Sequence, residues 1–489
     1  MSKNTTKRSL LASVFALVLC VAMLVGSTFA WFTDTASTGV NKIVSGNLKV
    51  DIIGANSDSH IEKLNFTKAA ITDAEAGAEI LWEPGCRYLT EGFRIANKGN
   101  LALKWKAQVN TGTTAANEGN FDLLDVIDFY LVTKAADGTE TETALDVFTG
   151  NLKKTETSDV YYIKGVMQTT AGNDYQGLTL DGISITVVAT QDTVENDSFN
   201  NQYDKDAEYP ILVTTGDQLQ ATVNNATAPV NIVLANSITT NNFVIPADKD
   251  VTLDLNGRTV TNAGSHTILN KGHLTLTDSS ADKSGQIISL KGNTAALRNG
   301  DNAVCVVEGG TISRDGANGN TWHVVENFGK MIFNGGKVVL KNGNGFAITN
   351  GWNYFDPGAS TTHAVMEINA LELDTDSSGI KNCRYGDLTV NDVTVTSTGY
   401  WALSNDYLGT AVINGGTLTS NSFKAVSNGA AMTVNGGTFN GTEGLFVQSY
   451  ATSTVLNGGT FANMNVDALS SYVGTGHTAQ QSGTSVIIK

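Results

Sequence analysis

Val412-Ile413-Asn414-Gly415-Gly416-Thr417-Leu418 is followed by Thr433-Val434-Asn435-Gly436-Gly437-Thr438-Phe439 and then by Val455-Leu456-Asn457-Gly458-Gly459-Thr460-Phe461. Earlier copies read Val306-Val307-Glu308-Gly309-Gly310-Thr311-Ile312 and Ile332-Phe333-Asn334-Gly335-Gly336-Lys337-Val338. Looser copies centre on Asn256, Asp278, Asn369 and Asn391. From Asn369 the centres advance to Asn391, Asn414, Asn435 and Asn457 with a nearly constant step. Earlier steps are as long or longer, the longest running from Asn334 to Asn369, as loops inserted into a constant coil would make them.

A second phrase runs out of phase with the first and ends in asparagine. Its copies are Ile268-Leu269-Asn270, Val324-Val325-Glu326-Asn327, Ala347-Ile348-Thr349-Asn350, Ile380-Lys381-Asn382, Ala402-Leu403-Ser404-Asn405 and Ala425-Val426-Ser427-Asn428. Asn382, Asn405 and Asn428 keep the same step as the first phrase. Two registers sharing one period describe a parallel β-helix, in which short strands turn at Asn or Gly because these tolerate left-handed backbone angles. Stacking would set the coils about 4.8 Å apart, and roughly nine to eleven coils would make a rod about 50 Å long. Two asparagine ladders are predicted, Asn334–Asn391–Asn414–Asn435–Asn457 and Asn327–Asn350–Asn382–Asn405–Asn428. Antiparallel hairpins with Asn-Gly-Gly turns are the alternative. Before the repeat, Thr215-Gly216-Asp217-Gln218 has capping-box form, with Leu219 and Val223 four apart, and predicts a short helix covering the open end of the stack.

The chain has 489 residues, 31 Lys+Arg against 47 Asp+Glu, and a formal net charge of −16. That balance argues against non-specific binding to nucleic acid or to an anionic membrane. Lys3, Lys7 and Arg8 precede an apolar run from Leu10 to Val25, and Gly26-Ser27-Thr28-Phe29-Ala30 supplies small residues for cleavage after Ala30, the pattern of a secretory signal peptide. Cleavage removes three positive charges and no acid, so −16 − 3 gives −19. Cys86, Cys305 and Cys383 remain, too few for a disulfide framework, and Cys305 within Ala303-Val304-Cys305-Val306-Val307 reads as a buried thiol. No Cys/His cluster suggests a metal site, and no cofactor is expected.

Four segments are expected: a signal peptide over 1–30, a β-sandwich over 31–205, a linker and helical cap over 206–230, and the repeat over 231–489. In the sandwich, Asn47 to Ile52, Phe93 to Asn97, Leu101 to Ala107 and Ile183 to Ala189 alternate as half-buried strands do. Lys98-Gly99-Asn100 reads as a hairpin turn, and Leu124, Ile127 and Leu131 suggest a short helix within Phe121 to Val132.

Several stretches carry a resemblance. Gly26 to Asp34 followed by Ile43-Val44-Ser45-Gly46-Asn47-Leu48-Lys49-Val50, then Trp82-Glu83-Pro84-Gly85, Asn97 to Lys104 and Gln191 to Phe199, resemble the TasA/camelysin family of Gram-positive matrix proteins processed by a SipW-type signal peptidase. The resemblance runs from the N-terminus to about position 205. It implies a jelly-roll-like sandwich, a secreted biofilm-matrix or cell-surface role, and a homo-polymer in which Trp31 to Ile53 completes the next subunit's sheet. The alternative is that this segment pairs within its own chain. Some family members are called metallopeptidases, but none of His60, His266, His273, His323, His363 and His477 stands in an HExxH motif, so that activity is not carried over. The coils resemble those of pectate-lyase-like and adhesin-type right-handed β-helix proteins.

Some β-helix proteins cleave polysaccharides with stacked acids or an acid beside Arg or Lys. The candidates are His323, Asp356, Arg384, Asp387 and Asp406, with Arg384 and Asp406 about one coil apart; solvated turn residues are the plainer reading. Aromatic residues gather in the same coils: Trp352, Tyr354 and Phe355 in the longest insertion, then Tyr385, Tyr400, Trp401 and Tyr407. Exposed rings stack on sugars, and binding energy concentrates in such residues. The expected protein is therefore an all-β surface or matrix adhesin that contacts carbohydrate without catalysis, with a secreted polysaccharide lyase or hydrolase as the rival. Nothing suggests a membrane association after cleavage.

Overall fold

The computed structural model describes residues 47–489 apart from 62–63, 68–81, 111–112, 115–120, 146–147, 182, 193–208, 320 and 353–361. The chain is all-β, with antiparallel sheets towards the N-terminus and a parallel solenoid of about ten coils over residues 211–461.

In the N-terminal region, Val50–Gly54, Phe93–Asn97, Tyr161–Met167, Arg87–Thr90 and Phe66–Thr67 follow one another in one sheet, which Ile127–Lys134 and Glu140–Ala144 extend. A second sheet is built of Ser184–Gln191, Leu103–Asn110 and Phe148–Leu152. Alternation decides the shared core. Leu103, Trp105 and Ala107 are buried on one side, with Lys104 and Lys106 on the other, and they meet Phe93, Ile95, Leu131 and Ile163 of the first sheet. Trp105 stands edge-on to Phe148, with ring centroids 5.6 Å apart.

Three expectations change here. Lys98-Gly99-Asn100 is no hairpin: its flanking strands lie in different sheets, so the turn carries the chain from one sheet to the other. Asn97 holds that crossover, its amide donating to Leu101 O at 2.7 Å and Lys153 O at 3.1 Å while its Oδ1 accepts from Gly99 N. The helix expected within Phe121 to Val132 is a single 3-10 turn, Leu123–Asp125, followed by strand Ile127–Lys134. The aromatic and β-branched run Phe129-Tyr130-Leu131-Val132-Thr133 favours a strand, and seven paired positions against Tyr161–Met167 override the helical spacing. Finally, Val50 to Ile53 of the proposed donor segment pair antiparallel with Arg94 to Asn97 of their own chain, within strand Val50–Gly54. The remainder of that segment, up to residue 46, and Ala30 lie outside the described residues.

The solenoid has three faces. Face one runs through eleven parallel strands from Ile211–Val213 to Ser453–Leu456. Face two begins at Ile238–Thr239 and reaches Gly459–Phe461, and face three has nine strands from Phe243–Ile245 to Leu445–Val447. Ile211–Val213 already pairs with Val230–Leu234, so the segment 206–230 supplies the first rung as well as the cap. The core is a set of columns. Leu253, Leu276, Val307, Phe333, Ile368, Val390, Ile413, Val434 and Leu456 sit above one another on face one, each at most 1% exposed. Cys305 belongs to the neighbouring column, and full burial pushes its thiol up to about 12.

Both ends of the stack are closed. Helix Gly216–Asn225 is capped by Thr215 Oγ1, which accepts from Gln218 N, and buries Leu219 and Val223. Its Gln220 amide completes the first strand of face three: Nε2 donates to Val244 O at 2.9 Å and Oε1 accepts from Val244 N at 2.8 Å. A side chain thus satisfies a strand edge that would otherwise lack partners. Replacing Gln220 with Ala is expected to cost about 1–3 kcal/mol through those two orphaned groups. Thermal unfolding would check the size, and amide exchange of residues 243–245 the location. At the other end, hairpin Ala479–Ser482/Ser485–Ile488 pairs antiparallel with Gly459–Phe461.

Candidate functional site

Every strand of face three from Ile268–Asn270 to Val426–Asn428 ends on an inward asparagine, and these residues form one buried column. The Asn270 amide donates to Asn299 Oδ1 at 2.8 Å, Asn299 to Asn327 at 2.8 Å, and Asn327 to Asn350 at 2.7 Å. Asn350 then donates to Asn382, Asn382 to Asn405, and Asn405 to Asn428, each at 2.9 Å. Asn270 and Asn299 thus extend the buried ladder by two rungs at its start. The second ladder is exposed at the corner between faces one and two and runs the other way: Asn457 donates to Asn435, Asn435 to Asn414, Asn414 to Asn391, Asn391 to Asn369, and Asn369 to Asn334. Asn369 fills the rung between Asn334 and Asn391.

The residue before each buried asparagine stands on the outer side of its strand, since side chains alternate, with Glu326, Thr349 and Ser427 covered by their neighbours and Arg298, Lys381 and Ser404 partly exposed. Register places Arg298, Glu326, Thr349, Lys381, Ser404, Ser427 and Phe446 in one column. The charged members of this strip are ion-paired. Arg298 Nη1 lies 2.9 Å from Glu326 Oε2, and Trp322 Nε1 donates to Glu326 Oε1 at 2.8 Å. Lys381 Nζ is 3.2 Å from Asp406 Oδ2. Burial pulls the imidazoles of His266 and His323 below their ordinary range, against the opposing attraction of Glu326.

Aromatic side chains flank the strip on both sides. Trp322, Tyr400, Trp401 and Phe423 stand where the chain enters face three. Trp401 packs on Phe423 at 4.7 Å and lies nearly parallel to Phe446 at 6.0 Å. Phe328, Trp352, Tyr385, Tyr407 and Tyr450 stand on the side where the chain leaves face three. Trp352 is half-buried on Phe328 at 4.4 Å, and its backbone exchanges hydrogen bonds of 2.9 and 3.1 Å with Arg384. The Arg384 guanidinium covers the Tyr385 ring at 4.7 Å and donates to its hydroxyl. Tyr400, Tyr407 and Tyr450 are 58%, 45% and 54% exposed.

This leaving corner is strained. Tyr385 and Leu408 occupy φ 59° and 60°, a region that bulky residues adopt at a cost. Each is the third residue of a tight turn, closed by Gly386 N to Cys383 O and by Gly409 N to Asp406 O. The following glycines are required, because a Cβ on Gly386 would collide with Asn382 Oδ1 and one on Gly409 would sit 2.6 Å from Asn405 Oδ1. The ladder thus fixes the turns that present the tyrosines.

The candidate acids are not assembled as expected. No ion pair joins Arg384 to Asp406 among the described residues; Asp406 is held by Lys381 from its own side of the strip. Asp387 pairs with His363 at 2.8 Å. The His323 ring is engaged by the Phe346 backbone. Glu326 and Asp406 are three rungs apart, about 14 Å along the axis, farther than two carboxyl groups that share one glycosidic bond. Tyr354, Phe355 and Asp356 lie outside the described residues. Sequence reasoning misses Arg298, Glu326, Lys381, Phe328 and Tyr450. The first three are marked only by their position one residue before a ladder asparagine.

Among the described residues no helix is long and apolar enough to cross a membrane, and no cluster of His, Cys, Asp or Glu could hold a metal ion. No family model and no curated protein matches the chain. One solved structure, the catalytic domain of a GH87 alpha-1,3-glucanase in complex with tetrasaccharides, aligns over 84% of this chain and 96% of that chain, with 11% identity and a TM-score of 0.15. A TM-score of that size is too low for the likeness to carry an argument.

Proposed function

We propose that this is a secreted surface or matrix protein whose β-helix holds a glycan along face three. The observation that carries the reading is the strip from Arg298 to Ser427, in which Arg298, Lys381 and Ser404 are partly exposed, with aromatic side chains on both margins. Sugar rings offer apolar faces to aromatic side chains and hydroxyls to polar ones, which such a strip supplies together. Wild-type protein is expected to bind a subset of a glycan array, and alanine at Trp401 and Tyr407 together to lower that binding about tenfold or more. Equal binding by the variant, or no binding by the wild type, would contradict the reading. Release of new reducing ends or unsaturated sugars from a bound glycan would favour the lyase or hydrolase alternative, for which His363 and Asp387 are a candidate acid–base pair.

The matrix role and the homo-polymer rest on the resemblance carried by the N-terminal region. Because Val50–Gly54 is already paired in its own chain, residues 31–46 are the part left to act as a donor strand. Mature protein lacking 31–46 is expected to stay monomeric under conditions where the full mature chain forms fibres in electron micrographs. Fibres of normal yield from the truncated chain would remove the strand-addition proposal.

A further inference from the structure

The margin where the chain leaves face three carries its rings with the same period as the coil. Trp352 follows Asn350, Tyr385 follows Asn382 and Tyr407 follows Asn405, and those asparagines occupy successive rungs. The next rung, that of Asn428, continues Gly429-Ala430-Ala431 and has no ring of its own. Tyr450, three residues past Val447 of the rung above, covers it: a Cβ on Gly429 would lie 2.7 Å from Tyr450 Cε2, so the ring lies against that glycine. Rings of Trp352, Tyr385, Tyr407 and Tyr450 therefore line this margin over successive rungs, which are about 4.8 Å apart.

Charge narrows the occupant further. The strip's cations are spoken for: Arg298 by Glu326, Lys381 by Asp406, and the neighbouring Lys424 by Glu443 at 3.1 Å. The Arg384 guanidinium lies on the Tyr385 ring with Nη2 donating to its hydroxyl. The whole chain carries a formal charge of −16, which repels polyanions.

We infer that the occupant is a neutral, linear, β-linked glycan lying along the solenoid axis in register with the coils, one sugar to each rung. A fully extended β-1,4-linked hexose chain advances by close to one rung spacing per sugar, so successive sugars meet successive rings. An α-1,4-linked glucan coils and leaves register within a few units. A uronate polymer would bring one carboxylate per rung to a strip whose cations, among the described residues, are already engaged. This inference rests on the glycan reading above and specifies its ligand.

The test is a length series measured by calorimetry on the full mature protein: neutral β-1,4-linked gluco-, manno- and N-acetylgluco-oligosaccharides of two to six units, an α-1,4-linked gluco-oligosaccharide series, and oligogalacturonates. At least one neutral β-linked series is expected to gain affinity with each unit up to about four or five, and then to plateau. The α-linked and uronate series should stay at least tenfold weaker. Tyr450→Ala, at the end of the row, is expected to cost the hexasaccharide about tenfold and the disaccharide less than about twofold, because short chains use the remaining rings. Gly429→Ala, which pushes the same ring aside without removing it, should reproduce that split. Affinity independent of length, equal binding of α-linked or acidic chains, or an equal loss at every length in Tyr450→Ala would overturn the inference while leaving glycan binding intact. Absence of binding to every saccharide would overturn both.

Discussion

Asn382→Asp should destabilise the solenoid by about 3–5 kcal/mol, although the two side chains have nearly the same shape. The Asn382 amide nitrogen donates to Gly386 O at 2.9 Å, Thr410 O at 3.0 Å and Asn405 Oδ1 at 2.9 Å, from a fully buried position. A carboxylate has no hydrogen to offer there and would set a negative oxygen against three acceptors. A burial cost without compensating hydrogen bonds follows, and protonating the acid recovers only part of it. The control lies on the other ladder. Asn414 also donates to its neighbour, but on the surface, where water can replace the partner, so Asn414→Asp should cost less than about 1 kcal/mol. Chemical denaturation of both variants would separate hydrogen bonding from packing, because neither change alters volume. Similar losses in the two would mean that burial does not set the strength of the ladder.

Phe439→Ala should cost about 3–5 kcal/mol, the usual range for a large core truncation. Phe439 is fully buried and stacks on Phe461 of the next coil, with centroids 4.7 Å apart and planes 16° apart. The cavity would have little to fill it, because Gly437 and Gly459 border the ring and carry no side chain to move in. In a stack where each coil touches only its neighbours, such damage spreads from the nearer end. Amide exchange should therefore rise in residues 417–461 before it rises in residues 251–340. Uniform acceleration along the whole rod would show that the coils unfold as one unit.

The solenoid is legible in the sequence because every coil solves the same problem. Asn and Gly must recur wherever the backbone turns, and between Asn369 and Asn428 both registers of asparagine recur once per coil with little variation in spacing. Lys98-Gly99-Asn100 misleads because turn chemistry states that a chain reverses and not which strands then pair; the decisive contacts come from Asn97 and from Asn47 and Lys49, far away in sequence. Residues 121–132 show the same limit, since Leu124, Ile127 and Leu131 fit a helix until strand Tyr161–Met167 is placed alongside. At the site, Trp352, Tyr385 and Tyr407 share a margin that their spacing already suggests, whereas Trp401 faces them from the other side. Arg298, Glu326 and Lys381 carry no period of their own, because outward positions on a rung are free to vary. The role of Gln220 is invisible for a different reason: a side chain standing in for a strand leaves no trace in local sequence.

The central claim, that face three and its ring-lined corner hold a glycan, is tested most directly by hydrogen exchange on the protein with and without a saturating bound oligosaccharide. Protection is expected at residues 349–352, 381–386, 403–409 and 426–430, with faces one and two unchanged away from that corner. Protection centred on face two, or on the N-terminal sheets with face three unaffected, would contradict it.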